Sequence, residues 1–353
     1  MNRSKLKEGK NGGGLWAATA IGVGVIGAYV AWSKKRPKYD FDGKIVVITG
    51  GSRGLGLVLA RTFAAEGAKL AICARDSEEL KRAEKDLKSR GAEVFQDVCD
   101  VRNQNEVNEF IEKVCSYYGH IDVLVNNAGV IQVGPLEVQT KEDFENALAV
   151  HFWGPYHTMS AVAPKMRERG AGKIVNISSI GGKMSVPHLA PYCASKFALV
   201  GLSNAMRVEL AKDNIDVTTV CPGLMRTGSH INAIFKGKNQ QEFAWFSIAN
   251  GFPLASISAE SAAKEIVEAC RKGEAEKIVS IQAELAAKMN ALFPELVAEI
   301  SGLINQVLPS KGGIGEEHAT GLESTSFASP SFLTALVDKE SYQNNELKQG
   351  ETL

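Results

Sequence analysis

The stretch Lys44-Ile45-Val46-Val47-Ile48-Thr49-Gly50-Gly51-Ser52-Arg53-Gly54-Leu55-Gly56 decides the fold. Its first six residues form a short apolar, β-branched run, the composition of a strand buried on both faces. Four glycines then fall within seven residues, and residues 55–66 have the pattern of a helix. Glycine lets the chain turn sharply and lets its backbone approach a ligand closely. The helix that follows turns unpaired N–H groups and the positive end of its dipole toward that approach. At the start of a βαβ unit, this order of strand, glycine turn and helix makes a cradle for the pyrophosphate of a dinucleotide. The spacing is G-x-x-x-G-x-G rather than the commoner G-x-G-x-x-G.

Strand-like and helix-like segments keep alternating beyond this point. Residues 69–74, 92–97, 121–126, 173–178, 215–220 and 277–281 read as strands. Residues 77–90, 106–119, 144–169, 191–213 and 260–271 read as helices. The alternation predicts an α/β fold, a Rossmann-type doubly wound parallel sheet in a single catalytic domain over residues 43–283. Residues 224–255 break the rhythm. They are long for a connection and carry Phe235, Phe243, Trp245, Phe246 and Phe252, so they are expected to form a substrate loop. Residues 284–309 repeat apolar side chains at helical spacing, interrupted at Pro294. This amphipathic extension could cover the core, form a subunit contact in a homo-oligomer or lie on a bilayer. Glu295 and Glu299 weaken the last choice. Residues 310–353 are polar and rich in Gly and Ser, and are expected to be a disordered tail.

The 353 residues carry 40 basic and 40 acidic side chains, and no basic block lies within the main domain, so the charge gives no support to nucleic-acid binding. The six cysteines are scattered without CxxC or metal-ligand spacing, which predicts free thiols in a reducing, cytoplasmic compartment and no metal site. The N-terminus departs from this soluble picture. Residues 15–32 are a charge-free run with Trp16, Tyr29 and Trp32 near its ends. As a helix the run would be about 27 Å long, close to a hydrocarbon core of roughly 30 Å. It follows a basic, Gly-rich tail (1–14) and precedes a charged linker (33–42), and Lys34 and Lys35 suit a stop-transfer flank better than a cleavage site. The expectation is a single-pass transmembrane anchor; the balanced flanking charge leaves its orientation open.

The second strand ends Ala74-Arg75-Asp76. An acidic residue there would favour NAD through the ribose 2′-hydroxyl. Arg75, with Arg53 in the glycine turn, instead offers planar guanidinium forks to a 2′-phosphate, which favours NADP(H). Asp76 could serve a ribose hydroxyl in competition.

From residue 43 to about 225 the chain resembles the short-chain dehydrogenase/reductase family. The resemblance rests on the TGGSRGLG turn, Asp100-Val101, Asn126-Asn127-Ala128-Gly129, Ser179, Tyr192-Cys193-Ala194-Ser195-Lys196 and Pro222-Gly223, all in order. It implies cofactor contacts from Gly50, Ser52, Arg53, Gly54, Leu55, Gly56, Arg75, Asp100, Val101, Asn127, Ala128, Gly129, Tyr192, Lys196, Pro222, Gly223 and Thr227, with Asn126 supporting the sheet. It also implies a small-molecule carbonyl or alcohol substrate, and the loop aromatics and the anchor incline that substrate toward lipophilic compounds.

The resemblance assigns catalysis to Ser179, Tyr192 and Lys196. A carbonyl that accepts hydride develops negative charge and needs a proton, which Tyr192 would donate. Lys196, four residues on and on the same helix face, would lower the tyrosine pKa from its usual value of about 10. Ser179, thirteen residues before Tyr192, would polarise the carbonyl, while its neighbour Ser178 is structural. His151 stands where the family often has an asparagine in a water-linked proton relay. His188 reads as a loop histidine and Cys193 as an inert thiol. A catalytically idle NADP(H)-binding scaffold or redox sensor is the competing reading, and it would have been favoured by loss of Ser179, Tyr192 or Lys196.

Overall fold

The computed structural model describes residues 38–327, 329, 331, 334–347 and 351. β1 (Ile45–Thr49), β2 (Lys69–Ala74), β3 (Val94–Val98) and β4 (Val123–Asn126) are linked by α1 (Gly54–Ala65), α2 (Ser77–Ser89) and α3 (Gln104–Tyr118). After a short β5 (Gln132–Val133) come α4 (Lys141–Leu148), α5 (Gly154–Arg169), β6 (Gly172–Ile177), α6 (Ala190–Leu210) and β7 (Ile215–Pro222). Then follow β8 (Leu224–Arg226), β9 (Ile234–Phe235), α7 (Asn239–Gly251), β10 (Ser256–Ser258), α8 (Ala259–Lys272) and β11 (Glu276–Val279). The main sheet has seven parallel strands in the order β11-β7-β6-β4-β1-β2-β3. The order reverses at β1, which pairs with β2 on one side and β4 on the other. Such a switch point opens a crevice at the carboxyl ends of the strands. The expected Rossmann-type sheet is present, and β1 and β4 are buried along their whole length.

Register brings a row of polar residues across the carboxyl half of the sheet. Thr49 lies beside Asn126, Asn126 beside Asn176, and Asn176 beside Thr219. Asn126 Nδ2 donates to Asn176 Oδ1 (2.8 Å), and Thr158 Oγ1 on α5 donates to Asn126 Oδ1 (2.6 Å). Asn176 Nδ2 and Thr219 Oγ1 both donate to Ser203 Oγ on α6 (2.9 and 2.7 Å). All are buried, so each bond forms where an unpaired polar group would be costly.

The 224–255 segment, expected to form a substrate loop, carries regular structure of its own. It folds into β8, β9 and α7 and ends just before β10, and β9 pairs with β5. Phe235, Phe243 and Phe246 build a second core with Val133, Leu189, Cys193 and Leu347. The 284–309 extension is a helical pair, α9 (Ile281–Leu292) and α10 (Pro294–Val307), interrupted at Phe293–Pro294. Its apolar side chains Leu296, Ile300, Leu303, Ile304 and Val307 are exposed.

The C-terminal tail corrects the expectation of disorder. Residues 319–320 form β12 (Ala319–Thr320), which pairs with β9, and residues 335–343 form α11 (Ala335–Gln343). Val337 and Leu347 are buried anchors. Ser324, Thr334, Ser341 and Asn344 are fully buried and hydrogen-bonded, so their polarity serves packing rather than solvation. The anchor expected at 15–32 and the tail at 1–14 lie outside the described residues. Among the described residues no helix is long and apolar enough to cross a membrane.

Asp122 fastens the start of β1 to β4. Its carboxylate accepts from the Ile45 N–H (2.9 Å) and from Arg169 (2.8 Å), with His120 Nε2 at 3.1 Å. Burial pushes the carboxyl up, but the Ile45 N–H and the Arg169 guanidinium outweigh it and hold the group below the usual carboxylate range. The stability this gives is present above the unfolded pKa of about 4 and is lost as pH falls through the lower folded value. Asp122→Ala is therefore expected to cost about 2 kcal/mol in urea unfolding near pH 7, with the deficit shrinking below about pH 4.

Candidate active site

The glycine turn is pinned to the end of β4. Thr49 Oγ1 accepts from the N–H groups of Asn127 and Ala128 (3.1 Å each), and Asn127 Nδ2 donates to the carbonyls of Thr49 and Gly50 (3.1 Å each). Gly50 sits at φ +64°, and a Cβ there would lie 2.8 Å from Ala128 Cα. Both the conformation and the close approach require glycine. A Cβ on Gly56 would lie 2.0 Å from the Gly50 carbonyl oxygen, so the first turn of α1 closes directly onto the loop. α1 begins after Arg53 without a side-chain cap and without an acidic residue in its first turn. That donor set fits an external anion.

A cleft of about 660 Å³ runs from this turn across the strand ends. Of the residues expected at the cofactor, Gly50, Ser52, Arg53, Gly54, Leu55, Arg75, Asp100, Val101, Asn127, Ala128, Gly129, Tyr192, Lys196 and Thr227 line it. Gly56, Pro222 and Gly223 do not: Gly56 is taken up by the turn, and a Cβ on Gly223 would meet Ala283 at 2.8 Å. Asp76 Oδ1 accepts from the N–H groups of Glu78 and Glu79 and caps α2 (2.9 and 3.0 Å). The Asp100 carboxylate is gripped by Arg102. Arg53 meets two carboxylates, Glu79 at 3.3 Å and Glu346 at 3.6 Å, and Ser52 Oγ donates to Glu79 (3.0 Å).

At the far end Tyr192 and Lys196 line the cleft together with Ser178, whereas Ser179, the serine expected to be catalytic, does not line it. Ser179, following β6, accepts from the Gly181 N–H (3.0 Å) and hydrogen-bonds Tyr192. Burial pushes the Tyr192 phenol up to about 12, despite the Ser179 bond, which acts in the opposite direction. Lys196 donates from Nζ to the Ile177 carbonyl (3.0 Å) and lies 5.5 Å from the Tyr192 ring centroid. Its own burial pulls its pKa down to about 7. The lysine does not draw the tyrosine pKa down as the resemblance implies; burial dominates both groups. Ser178 Oγ donates to the Lys196 carbonyl (3.0 Å), which ties the β6 terminus to α6.

His151 lies in a π-helical turn, residues Ala149–Trp153, between α4 and α5. Such turns widen a helix by one residue and reorient a side chain, here into the interior. The Val130 N–H donates to Nε2 (3.1 Å), which leaves the proton on Nδ1, 2.7 Å from Ser195 Oγ. Ser195 in turn donates to the Tyr192 carbonyl (2.8 Å). The imidazole meets the Tyr192 ring edge-on at 5.4 Å. Burial, followed by the nearby Lys196 charge, holds its pKa well below the histidine range, so the ring is neutral. Both nitrogens are engaged with protein, and His151 buttresses the tyrosine.

His188, just before α6, adopts φ +63° and pairs with the fully buried Glu242 (2.8 and 2.9 Å), which also accepts from Trp245 Nε1 (2.6 Å). This triad braces α7. Burial pushes the Cys193 thiol up, in keeping with an inert side chain. None of the five aromatics of the 224–255 segment lines the cleft. Glu79, Asn232 and Glu346, none of them expected from the sequence, also line it. Glu79 was findable from its place in the first turn of α2, beside Arg75; Glu346 carries no local signal.

The model of the short chain dehydrogenase family matches residues 44–235. A Drosophila melanogaster protein described as dehydrogenase/reductase SDR family protein 7-like is 31% identical over 283 residues, covering 78% of this chain and 85% of that one. Among solved structures, a variant of actinorhodin polyketide ketoreductase with NADPH is 30% identical with a TM-score of 0.61, covering 67% of this chain and 95% of that one. L-sorbose reductase from Gluconobacter frateurii, complexed with NADPH and L-sorbose, is 29% identical with a TM-score of 0.61, covering 69% and 97%. The ordered turn, the cleft at the strand reversal and these matches agree: the chain belongs to the short chain dehydrogenase family of oxidoreductases.

Proposed function

We propose that this chain is an NADP(H)-dependent carbonyl reductase or alcohol dehydrogenase that works through Tyr192, Ser179 and Lys196. The observation that carries the reading is Tyr192 beside Lys196, whose Nζ lies 5.5 Å from its ring centroid, in the same cleft as an anion-ready glycine turn. Arg53 and Arg75 at the other end support a 2′-phosphate, and two similar solved proteins hold NADPH. Asp76, engaged as a helix cap, gives less support to NAD(H).

When bound, the nicotinamide supplies or accepts the hydride. Tyr192, at about 12, keeps its proton until negative charge builds on the substrate oxygen, and then donates it. Ser179 Oγ, oriented by the Gly181 N–H it accepts from, donates to the same oxygen. In its protonated form Lys196 stabilises the tyrosinate left behind. His151, neutral and locked, fixes the tyrosine through Ser195. In the oxidative direction the proton returns to Tyr192.

Val130, Ile131, Ile177, Met225, Ala233 and Ile234 line the cleft around this centre and favour an apolar substrate such as a ketone, acyl, steroid or retinoid-like compound. Residues 15–32 would tether the enzyme to a membrane holding such compounds, with the free thiols in a reducing compartment. An idle NADP(H)-binding scaffold fits less well, because the three groups it has no use for stand together.

Three outcomes test this reading. With NADPH and a panel of ketones, Tyr192→Phe should reduce turnover at least about 100-fold, and an intact rate would remove the tyrosine from the mechanism. Arg75→Asp should lower kcat/KM for NADPH roughly 10- to 100-fold and raise NADH use, as loss of a charge-assisted contact requires; an unchanged preference would defeat the cofactor assignment. Lys196 is the pH-sensitive member. Its folded pKa of about 7 lies below its unfolded value, so the penalty for burying its charge is complete below that pH and is relieved as pH rises. Lys196→Met should therefore abolish turnover yet raise the Tm near neutrality, with the gain narrowing toward about pH 10.

A further inference from the structure

The end of the C-terminal tail lies in the cleft itself. After α11 the chain crosses from the wall made by Thr227, Gly228 and Asn232 to the glycine turn. Ser341 packs on Gly228 so closely that a Cβ there would lie 2.5 Å from Ser341 Cα, and Asn344 Nδ2 donates to the Thr227 carbonyl (3.3 Å). On the opposite wall the Gly54 N–H, the first of α1, donates to the Asn344 carbonyl (2.9 Å). Asn345 Nδ2 donates to the Ser52 carbonyl (2.8 Å), and its Oδ1 accepts from Arg82 (2.7 Å).

Glu346 completes the crossing. It is 4% exposed, and its Oε1 lies 2.5 Å from the point a Cβ on Gly54 would occupy. Asn232 Nδ2 donates to both its Oε2 and its carbonyl (2.7 Å each), and Arg53 stands 3.6 Å from Oε2. The carboxylate thus sits at the uncapped start of α1, against the glycine whose missing side chain makes room there, and draws on one of the arginines placed for a phosphate.

Resting on the cofactor reading above, we propose that residues 343–347 are an autoinhibitory latch: the Glu346 carboxylate stands in for the cofactor pyrophosphate, and NADP(H) binds by displacing it. The latch is built to yield. Burial pushes the Glu346 carboxyl up, and Glu79 nearby opposes its charge, so it is poorly stabilised for an anion in this place. A dinucleotide brings more negative charge to the same donors together with a large apolar surface. The segment is five residues at the end of the chain's last described helix, so it can leave while the sheet stays intact. The latch spans the pyrophosphate turn and the Thr227 wall, and its release opens both ends of the cleft together.

The test is NADPH and NADH binding, followed by nicotinamide fluorescence, to the full chain, to Glu346→Ala and to a chain ending at Ser331. A latch closed in nine molecules of ten weakens apparent affinity about tenfold, so both variants should bind NADPH about tenfold more tightly. Backbone amides of residues 340–347 in the full chain should exchange faster with deuterium when NADPH is added. Equal or weaker binding by Glu346→Ala, or protection of those amides by NADPH, overturns the latch and makes the tail a clamp. Should the shortened chain not fold, Glu346→Ala and the exchange measurement decide the matter alone. A full chain and variants that all bind neither dinucleotide would overturn the cofactor reading itself, an outcome distinct from unchanged affinity in a chain that binds.

Discussion

The buried polar row Thr49–Asn126–Asn176–Thr219 is the constraint on which the site depends. Parallel strands are specified by apolar side chains that would tolerate a slip of register by two residues with little loss of burial. A line of amides and hydroxyls does not tolerate it, because a slip would leave desolvated donors and acceptors without partners. Thr49 turns the same device on the cofactor loop by accepting two N–H groups from the end of β4. Ser203 turns it on α6, the helix that carries Tyr192 and Lys196. The glycine turn and α6 come from parts of the chain more than a hundred residues apart, and this row sets their spacing.

Much of the main sheet was legible in the sequence because its signals are local. KIVVIT, the glycine spacing and the short β-branched runs each act within about ten residues. Ser179, Tyr192 and Lys196 were picked out for a different reason, an ordered family resemblance, and their catalytic role stands as proposed above. The tail and the 224–255 segment were not legible because their stability is tertiary. Ser324, Ser341 and Asn344 look like solvated residues in composition, yet they are buried and meet Asn239, Gly228 and Thr227 elsewhere in the fold. The aromatics of the loop suggested a lipophilic substrate, but Phe235, Phe243, Trp245 and Phe246 pack in one cluster with Val133 and Leu189, residues that no local pattern links to them.

The electrostatics of the reacting end follow from enclosure. Burial raises the tyrosine and lowers the lysine, so both groups resist charge when no ligand is bound. On the function proposed above, Tyr192 holds its proton on oxygen until an anion develops, which suits a donor. His151 belongs to the same logic. A charged imidazole beside Lys196 would add like charge to a desolvated site, whereas a neutral one, fixed by Val130 and Ser195, adds only geometry.

Enclosure also determines where the protein can move. β5 pairs with β9 and β9 with β12, so backbone hydrogen bonds hold the wall next to the reacting centre, and the second core behind it contains three phenylalanines. A flexible lid in the 224–255 segment would have to break that pairing and expose that core. The tail beyond α11 has a lower barrier: it crosses the cleft through side-chain and single backbone bonds at its polar positions, with Leu347 as its apolar anchor. Local opening is drawn from segments with few buried apolar contacts. Access to this cleft therefore falls to the tail, and a length of chain whose composition resembles disordered linker acquires a reason to be ordered.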